Sequence, residues 1–322
     1  MILTPRRIRF LLLSGIFLVS ACGHRPHRVE PGPWESAQNK TPVHPEELII
    51  PSYPKPTETP PPPRVEEVPR VALVLGGAGV ASFATVGLLK KLQEEKIKID
   101  LIVTTGWPTL FVLGKAFLPS IHELEWFATR LTEKDFYKAS IFDERDYASH
   151  EKLGKLIEGA FKQREIQDGK IPIVISAANT EFGEAEIFDR GDWREPLLKT
   201  MSVPGLFRPY PADADRQSIS SLQGLDVDEA HRRGLNVVVA VYMYDDYLRS
   251  LSEGEKNADA LFRRLYQAQL RKSLGNQLKL AQVRASIELF KAPNDFNAKR
   301  TAILAGYREG ERVARSLRAL VH

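Results

Sequence analysis

The sequence predicts an α/β fold: a three-layer α/β/α core with a mostly parallel sheet, followed by a C-terminal helical extension. Two features predict it. Short, almost continuously apolar runs recur along the chain, and segments with apolar residues at helical spacing follow them. Strands that are apolar throughout are buried on both faces, and the helices between them cover those faces.

The first strand, turn and helix lie close together. Residues 71–75 are an apolar run that predicts a buried strand, and residues 83–95 carry apolar positions at helical spacing. Glycines between them predict a tight turn, and N–H groups at a helix start are typical of an anion site. The turn comprises Gly76, Gly77, Ala78 and Gly79. A dinucleotide site is disfavoured, because no acidic residue ends the following strand to bind a ribose.

Further strands are predicted where apolar residues again run together: 97–103, 171–175 and 235–241. A helix is predicted at 107–116. In residues 256–290, leucines recur among basic and amide residues, which predicts one or two amphipathic helices. We therefore place the α/β domain at 70–245 and the helical extension at 246–322.

The N-terminal segment has the layout of an export signal. Three arginines precede an apolar run at 10–19, which is shorter than the about 20 residues that a membrane-spanning helix needs. The tetrad at 19–22 resembles a lipobox, which implies removal of residues 1–21 and acylation of Cys22, the only cysteine. Gly23 then favours sorting to the outer membrane, with the chain facing the periplasm. An unmodified thiol is the alternative.

Residues 22–69 are predicted to be a disordered linker. Of the 22 prolines, 13 lie in residues 23–69, and few aliphatic residues accompany them. Such a segment cannot bury enough apolar surface to fold. At about 3.1 Å per residue its reach is on the order of 150 Å. We interpret it as a spacer, with a polyproline ligand for a partner as the alternative.

The charge is uneven along the chain. Residues 261–322 contain 13 Lys and Arg but 4 Asp and Glu. On a membrane-tethered protein, each such cation near anionic headgroups contributes about 1 kcal/mol. A solvated helix face is the alternative. The histidines of the folded part show no metal-ligand spacing, and His150 and His231 are expected on the surface. We expect no metal, no cofactor and no nucleic-acid partner.

Four blocks, in order, resemble the patatin-like phospholipase family. They are residues 75–89, 99–103, 177–209 and 230–241. The resemblance implies a lipid acyl hydrolase with a Ser/Asp dyad. Its serine stands in a Gly-x-Ser-x-Gly turn between a strand and a helix, its aspartate acts as base, and the glycine-rich turn donates to the oxyanion.

The catalytic groups of that family are missing at the matching positions. Alignment from Asp100 puts Gly106 where the serine belongs, followed by Trp107 and Pro108. The aspartate turn falls near Ser218, where no acid stands. The arginine that follows the glycine turn in the family corresponds to Ala81.

We therefore expect a non-catalytic envelope lipoprotein that is attached to the membrane through acylated Cys22 and binds a lipid headgroup, an acyl chain or an envelope protein. The alternative is an active acyl hydrolase with displaced residues, such as Thr105 with Asp213 or Asp215. Nearby acids that a loop shift would supply also include Asp226 and Asp228. An acidic oxygen within about 3 Å of a hydroxyl beside the glycine turn would favour this alternative. A purely structural envelope protein is a third hypothesis.

Overall fold

The computed structural model describes residues 68–137, 150–211, 215–251 and 258–321, all within one compact unit, Val65–His322. The predicted signal peptide, Cys22, the linker up to residue 67 and Asp213 lie outside the described residues. No helix in the described part of the chain is long and apolar enough to span a membrane.

Seven strands and ten α-helices make up the described structure. The strands are β1 (Val71–Gly77), β2 (Leu101–Gly106), β3 (Ile173–Asn179), β4 (Ala185–Phe188), β5 (Ser218–Ser220), β6 (Val237–Met243) and β7 (Val283–Ser286). The helices are α1 (Ala84–Glu94), α2 (Pro108–Phe117), α3 (Ile121–Arg130), α4 (Glu133–Phe136), α5 (His150–Phe161), α6 (Arg194–Met201), α7 (Val227–Arg232), α8 (Asp245–Ser250), α9 (Ala258–Lys279) and α10 (Lys299–Val321). Short 3-10 helices occupy Gly79–Phe83, Ile166–Asp168 and Phe296–Ala298.

The strands form one mixed sheet in the order β4-β3-β2-β1-β6-β7. The strands from β3 to β7 in that order run parallel, and β4 pairs antiparallel with β3 at the edge. Every residue of the central strands β1 and β2 is buried. This confirms the predicted α/β fold with a mostly parallel sheet, because strands that are buried along their whole length are covered on both faces.

Strand β5 lies beyond the end of β2. The last β2–β3 pair joins Thr105 to Ser176, and β5 then pairs antiparallel with β3 at Ala177–Asn179. The sheet topology therefore brings the segment after β5 to the end of β2, which is where the family places its reaction centre.

The predicted glycine turn is shorter than the sequence suggests. Gly76 and Gly77 belong to β1 and pair with Thr105 and Gly106 of β2. A Cβ on Gly76 would lie 1.8 Å from the carbonyl oxygen of Gly224, so the strand packs directly on a loop backbone. Glycine is required here for close packing rather than for a turn.

The segment predicted as a helical extension is part of the same sheet and core. It does contain α8, α9 and α10, but β7 pairs in parallel with β6, and α10 packs along α1. The two helices touch through glycines: a Cβ on Gly306 would lie 1.8 Å from the Ala84 carbonyl oxygen, and one on Gly87 would lie 1.8 Å from that of Ile303. No boundary near residue 245 separates two cores.

We predict that Gly306→Ala lowers the free energy of unfolding by about 2 kcal/mol or more, because a methyl group has no room between α10 and α1. The matched control is Gly275→Ala in α9, where a Cβ meets nothing within 4 Å. That change is expected to raise stability by up to about 1 kcal/mol through helix propensity. Urea denaturation of both variants tests this, and equal effects would contradict it.

Candidate functional site

The turn between β2 and α2 has glycine, Gly106, at the position where the sequence alignment places the family's nucleophile. Gly106 has a φ of 73°, and its N–H donates to Thr200 Oγ1 at 2.8 Å. The next N–H, that of Trp107, donates to the Gly77 carbonyl oxygen at 3.1 Å. A Cβ on Gly106 would lie 2.2 Å from that same oxygen. This backbone therefore accepts glycine and excludes any residue that carries a nucleophile.

Trp107 fills the space beside the turn. Its side chain is 1% exposed and stacks on Phe136 at a centroid distance of 5.0 Å and an interplanar angle of 10°. Phe207 packs edge-on against it at 5.6 Å, and the ring of Phe296 contacts Phe136 at 5.0 Å. An acyl chain entering at this point would have to displace a closed aromatic cluster.

The donors of the glycine turn are largely occupied by the protein itself. The N–H of Ala78 donates to the Met243 carbonyl at 3.2 Å, and the N–H of Val80 donates to the Pro293 carbonyl at 2.7 Å. Gly79 has a φ of 66°, and a Cβ there would lie 2.4 Å from the same Pro293 oxygen. A backbone carbonyl from the segment before α10 thus stands where the predicted turn would bind an anion.

Thr105, the alternative nucleophile, is a buried structural link. Its hydroxyl donates to the Ser176 carbonyl at 3.0 Å and accepts from the Ser221 N–H at 3.0 Å. Thr200 Oγ1 lies 3.3 Å away and donates to the same Ser176 carbonyl. The Thr105 hydroxyl therefore donates its proton to β3, and its oxygen accepts a hydrogen bond from the segment after β5.

The acids predicted for this site are not brought to Thr105. Asp215 is exposed and is not among the hydrogen-bond partners of Thr105, and Asp213 lies outside the described residues. Ser218, at the predicted aspartate position, is buried in β5 and donates to Glu186 Oε2 at 2.6 Å. The pairing of Thr105 with either aspartate has no support in this geometry.

A different hydroxyl and acid do meet beside the reaction centre. The Ser221 hydroxyl donates to Asp226 Oδ1 at 3.1 Å, and the two residues are 2% and 3% exposed. The pKa of Asp226 is raised to about 6, chiefly by burial and also by the nearby Asp228 and Glu229, while the hydroxyls of Ser176 and Ser221 oppose the shift. Asp226 was named from the sequence as a nearby acid, but no sequence pattern indicated a role for Ser221.

Helix α9 covers this pair. Its Leu270 and Leu274 side chains lie against Gly224, within the loop that joins Ser221 to Asp226. Gln277 Oε1 accepts from the Val227 N–H at 2.7 Å and from the Asp228 N–H at 3.2 Å. Ser221 and Asp226 are residue types that catalyse hydrolysis, but α9 closes them off from solvent in this conformation.

His150 and His231, which were expected on the surface, are partly exposed and make polar contacts with the protein. His150 Nε2 lies 2.9 Å from Ser202 Oγ, and its ring packs at 5.3 Å from that of Phe207. Burial lowers the pKa of His150 to about 4, which keeps it neutral. The two ring nitrogens of His231 each lie 3.0 Å from a carbonyl oxygen, of Leu235 and of Leu280. Within the described ranges no group of three His, Cys, Asp or Glu residues is arranged to hold a metal.

Comparison with known proteins finds relatives for part of the chain. No protein-family model matches it. A solved structure of VipD from Legionella pneumophila has a TM-score of 0.47 and 7% identity, over 77% of this chain and 67% of that one.

Fungal lysophospholipases are similar in sequence. Lysophospholipase NTE1 of Kluyveromyces lactis is 26% identical over 178 residues, and its namesake in Aspergillus niger is 26% identical over 179 residues, each covering 53% of this chain. That of Chaetomium globosum is 24% identical over 144 residues, 43% of this chain. The chain spans 12% of the length of the first two relatives and 10% of the third. With the strand, turn and helix order described above, this similarity confirms that the α/β domain resembles the patatin-like phospholipase family.

Proposed function

We propose that this protein is an acyl-anchored envelope lipoprotein whose patatin-like domain does not hydrolyse lipids and acts by binding a lipid or a protein. The observation that carries the proposal is Gly106 at the nucleophile position, held under the Gly77 carbonyl. Loss of the nucleophile removes the covalent route and leaves only weak help from binding and oxyanion donors. The Ala78 and Val80 donors are themselves satisfied by the protein's own carbonyls.

The anchoring part of the proposal rests on the N-terminal sequence. Cys22 follows an export signal, and the proline-rich linker after it reaches on the order of 150 Å. A domain on such a tether works at a distance from its anchor, on the periplasmic side of the outer membrane. Binding, unlike turnover, needs only that the tether hold the domain near its target.

The second candidate is an active acyl hydrolase, and the Ser221–Asp226 contact favours it. In that mechanism the Ser221 oxygen attacks the acyl carbon while the Asp226 carboxylate accepts its proton, and the ester C–O bond then breaks as Asp226 passes that proton to the leaving alcohol. Water then releases the acid. Both residues are buried beneath α9, so this function requires an opening of α9 before substrate can enter.

Hydrolysis separates the two candidates. We expect residues 22–322 carrying Cys22→Ser to show no turnover of a short-chain p-nitrophenyl ester or a labelled phospholipid above the blank. Thr105→Ala and Ser221→Ala should give the same flat trace. Turnover that disappears in Ser221→Ala or Thr105→Ala but survives in Ser82→Ala, a buried serine without an acidic partner, would overturn the non-catalytic proposal.

The pH dependence of stability tests whether the pair is closed to water. The Asp226 carboxyl has a pKa of about 6 in the folded protein against 3.8 ordinarily. Its protonated form therefore stabilises the fold below about pH 4, and this contribution is lost as pH rises through about 6. Relative to Asp226→Asn, the free energy of unfolding of the unsubstituted protein should fall by about 2–3 kcal/mol across that interval. Asp215→Asn, at an exposed carboxyl, serves as the control and should show no such change. If the difference in the free energy of unfolding between the unsubstituted protein and Asp226→Asn did not change with pH, the carboxyl would be hydrated, as the enzyme hypothesis requires.

Acylation is tested at Cys22. We expect the protein to incorporate labelled palmitate and to sediment with membranes in its native host, and Cys22→Ser to lose the label. Ser20→Ala keeps the cysteine and should keep the label. Label retained in Cys22→Ser would refute the anchor, since the chain has no other cysteine.

A further inference from the structure

Helix α9 presents one cationic face to solvent. Six exposed side chains form the α9 outer face: Leu261, Arg264, Leu265, Arg271, Lys272 and Lys279. At 100° per residue they span about 120° of the helix circumference, and from first to last they extend about 27 Å along it. This face is both long and continuous.

The α9 outer face has no carboxylates of its own. Residues 260–287 contain no Asp or Glu. Arg271 interacts electrostatically with Asp245 without forming an ion pair, and among the described residues no ion pair joins the other three cations to an acid. Some surface cations elsewhere in the described structure are paired, such as Lys155 with Glu151 and Arg315 with Glu311. The charge of this face is therefore available to a partner.

The opposite side of α9 is fixed to the domain. Tyr266, Leu270 and Leu274 are buried, and Gln277 accepts two backbone N–H groups at the start of α7. The helix is thus held in one orientation, and binding at its outer face requires no folding step. A partner that contacts it meets a preformed array of cations.

Two leucines distinguish this face from an ordinary solvated one. Leu261 and Leu265 are each 61% exposed and lie one helical turn apart at the N-terminal end of the cationic row. A helix with cations and exposed aliphatic residues on the same outward side is typical of helices that lie on a membrane surface, with the cations at headgroup level and the aliphatic residues between the lipids.

We propose that the α9 outer face binds the surface of an anionic phospholipid membrane. The four cations contact headgroup phosphates, and Leu261 and Leu265 enter the headgroup region. The inference draws on the tether of the proposed function, which keeps the domain beside a membrane, but it does not depend on whether the domain hydrolyses lipid. Docking of α9 would place the loop with Ser221 and Asp226, which α9 covers, near the membrane.

Vesicle flotation tests the inference. The protein is residues 22–322 with Cys22→Ser, so that no acyl chain contributes. We expect it to float with vesicles of equimolar phosphatidylcholine and phosphatidylglycerol, not with pure phosphatidylcholine, and to dissociate at high salt because exposed charges are screened. Since each cation near such a surface contributes about fivefold in partitioning, Arg264→Glu/Arg271→Glu/Lys272→Glu should lower binding by about 100-fold or more. Leu261→Ser/Leu265→Ser should lower it by about tenfold.

The matched control reverses three other exposed cations, with the same change in net charge. Lys162, Arg164 and Lys170 lie between α5 and β3 and form no ion pair in the described structure. Lys162→Glu/Arg164→Glu/Lys170→Glu should retain at least half of the binding if the α9 outer face is the contact. Circular dichroism and urea denaturation show that each variant is folded before it is compared.

Three outcomes would overturn the inference. They are no binding to anionic vesicles, equal binding to both vesicle types, and equal losses in the α9 and control triples. Hydrolysis by the same preparation would instead overturn the non-catalytic function. The two results are independent, because the vesicle assay measures partitioning of intact protein and the ester assay measures product.

Discussion

The pairing of β1 with β2 through to Gly77 and Gly106 is the constraint on which the site depends. It carries β1 two residues and β2 three residues beyond their apolar runs, and it places the Gly77 carbonyl over the turn. That oxygen accepts the Trp107 N–H and fixes the entry to α2. Trp107 is thereby directed into the core, where Phe136 stacks on it. The position of the Gly77 carbonyl oxygen therefore accounts both for glycine at position 106 and for the burial of Trp107 in the aromatic cluster.

The rest of the site follows from how the sheet edge is completed. Because β2 ends at this turn, β3 takes β5 as its next neighbour, and the segment after β5 then donates to Thr105. The segment where the sequence alignment places the family's aspartate turn is a short strand followed by a loop that α9 covers. Residues of catalytic type are still present, but their hydrogen bonds join strands and loops to each other. These buried residues are of the polar types found in active sites, but their hydrogen bonds hold the core together.

Much of the fold was predictable because its signals are local. The runs that became β1, β2, β3 and β6 are mostly apolar, and α1 and α2 have regular helical spacing, so burial largely determines them. Strand β5, Ser218–Ser220, has one apolar residue, and β7 is a four-residue edge strand; each exists because a neighbour offers free backbone groups. The Ser221–Asp226 contact and the Pro293 carbonyl at the glycine turn arise the same way. The pattern of side chains along the sequence does not predict which backbone groups they will contact in the folded protein.

The missing Cβ at Gly106 also has a consequence for how this chain can change. A serine there would first meet the Gly77 oxygen at 2.2 Å, so a single codon change gives a strained backbone rather than a nucleophile. The pairing of β1 with β2 would have to loosen, and Trp107 would have to move, before the hydroxyl of a serine at position 106 could act as a nucleophile. Each of those steps lowers stability and brings no activity by itself. A change at position 106 alone would therefore not give a working nucleophile, and several coordinated substitutions would be needed.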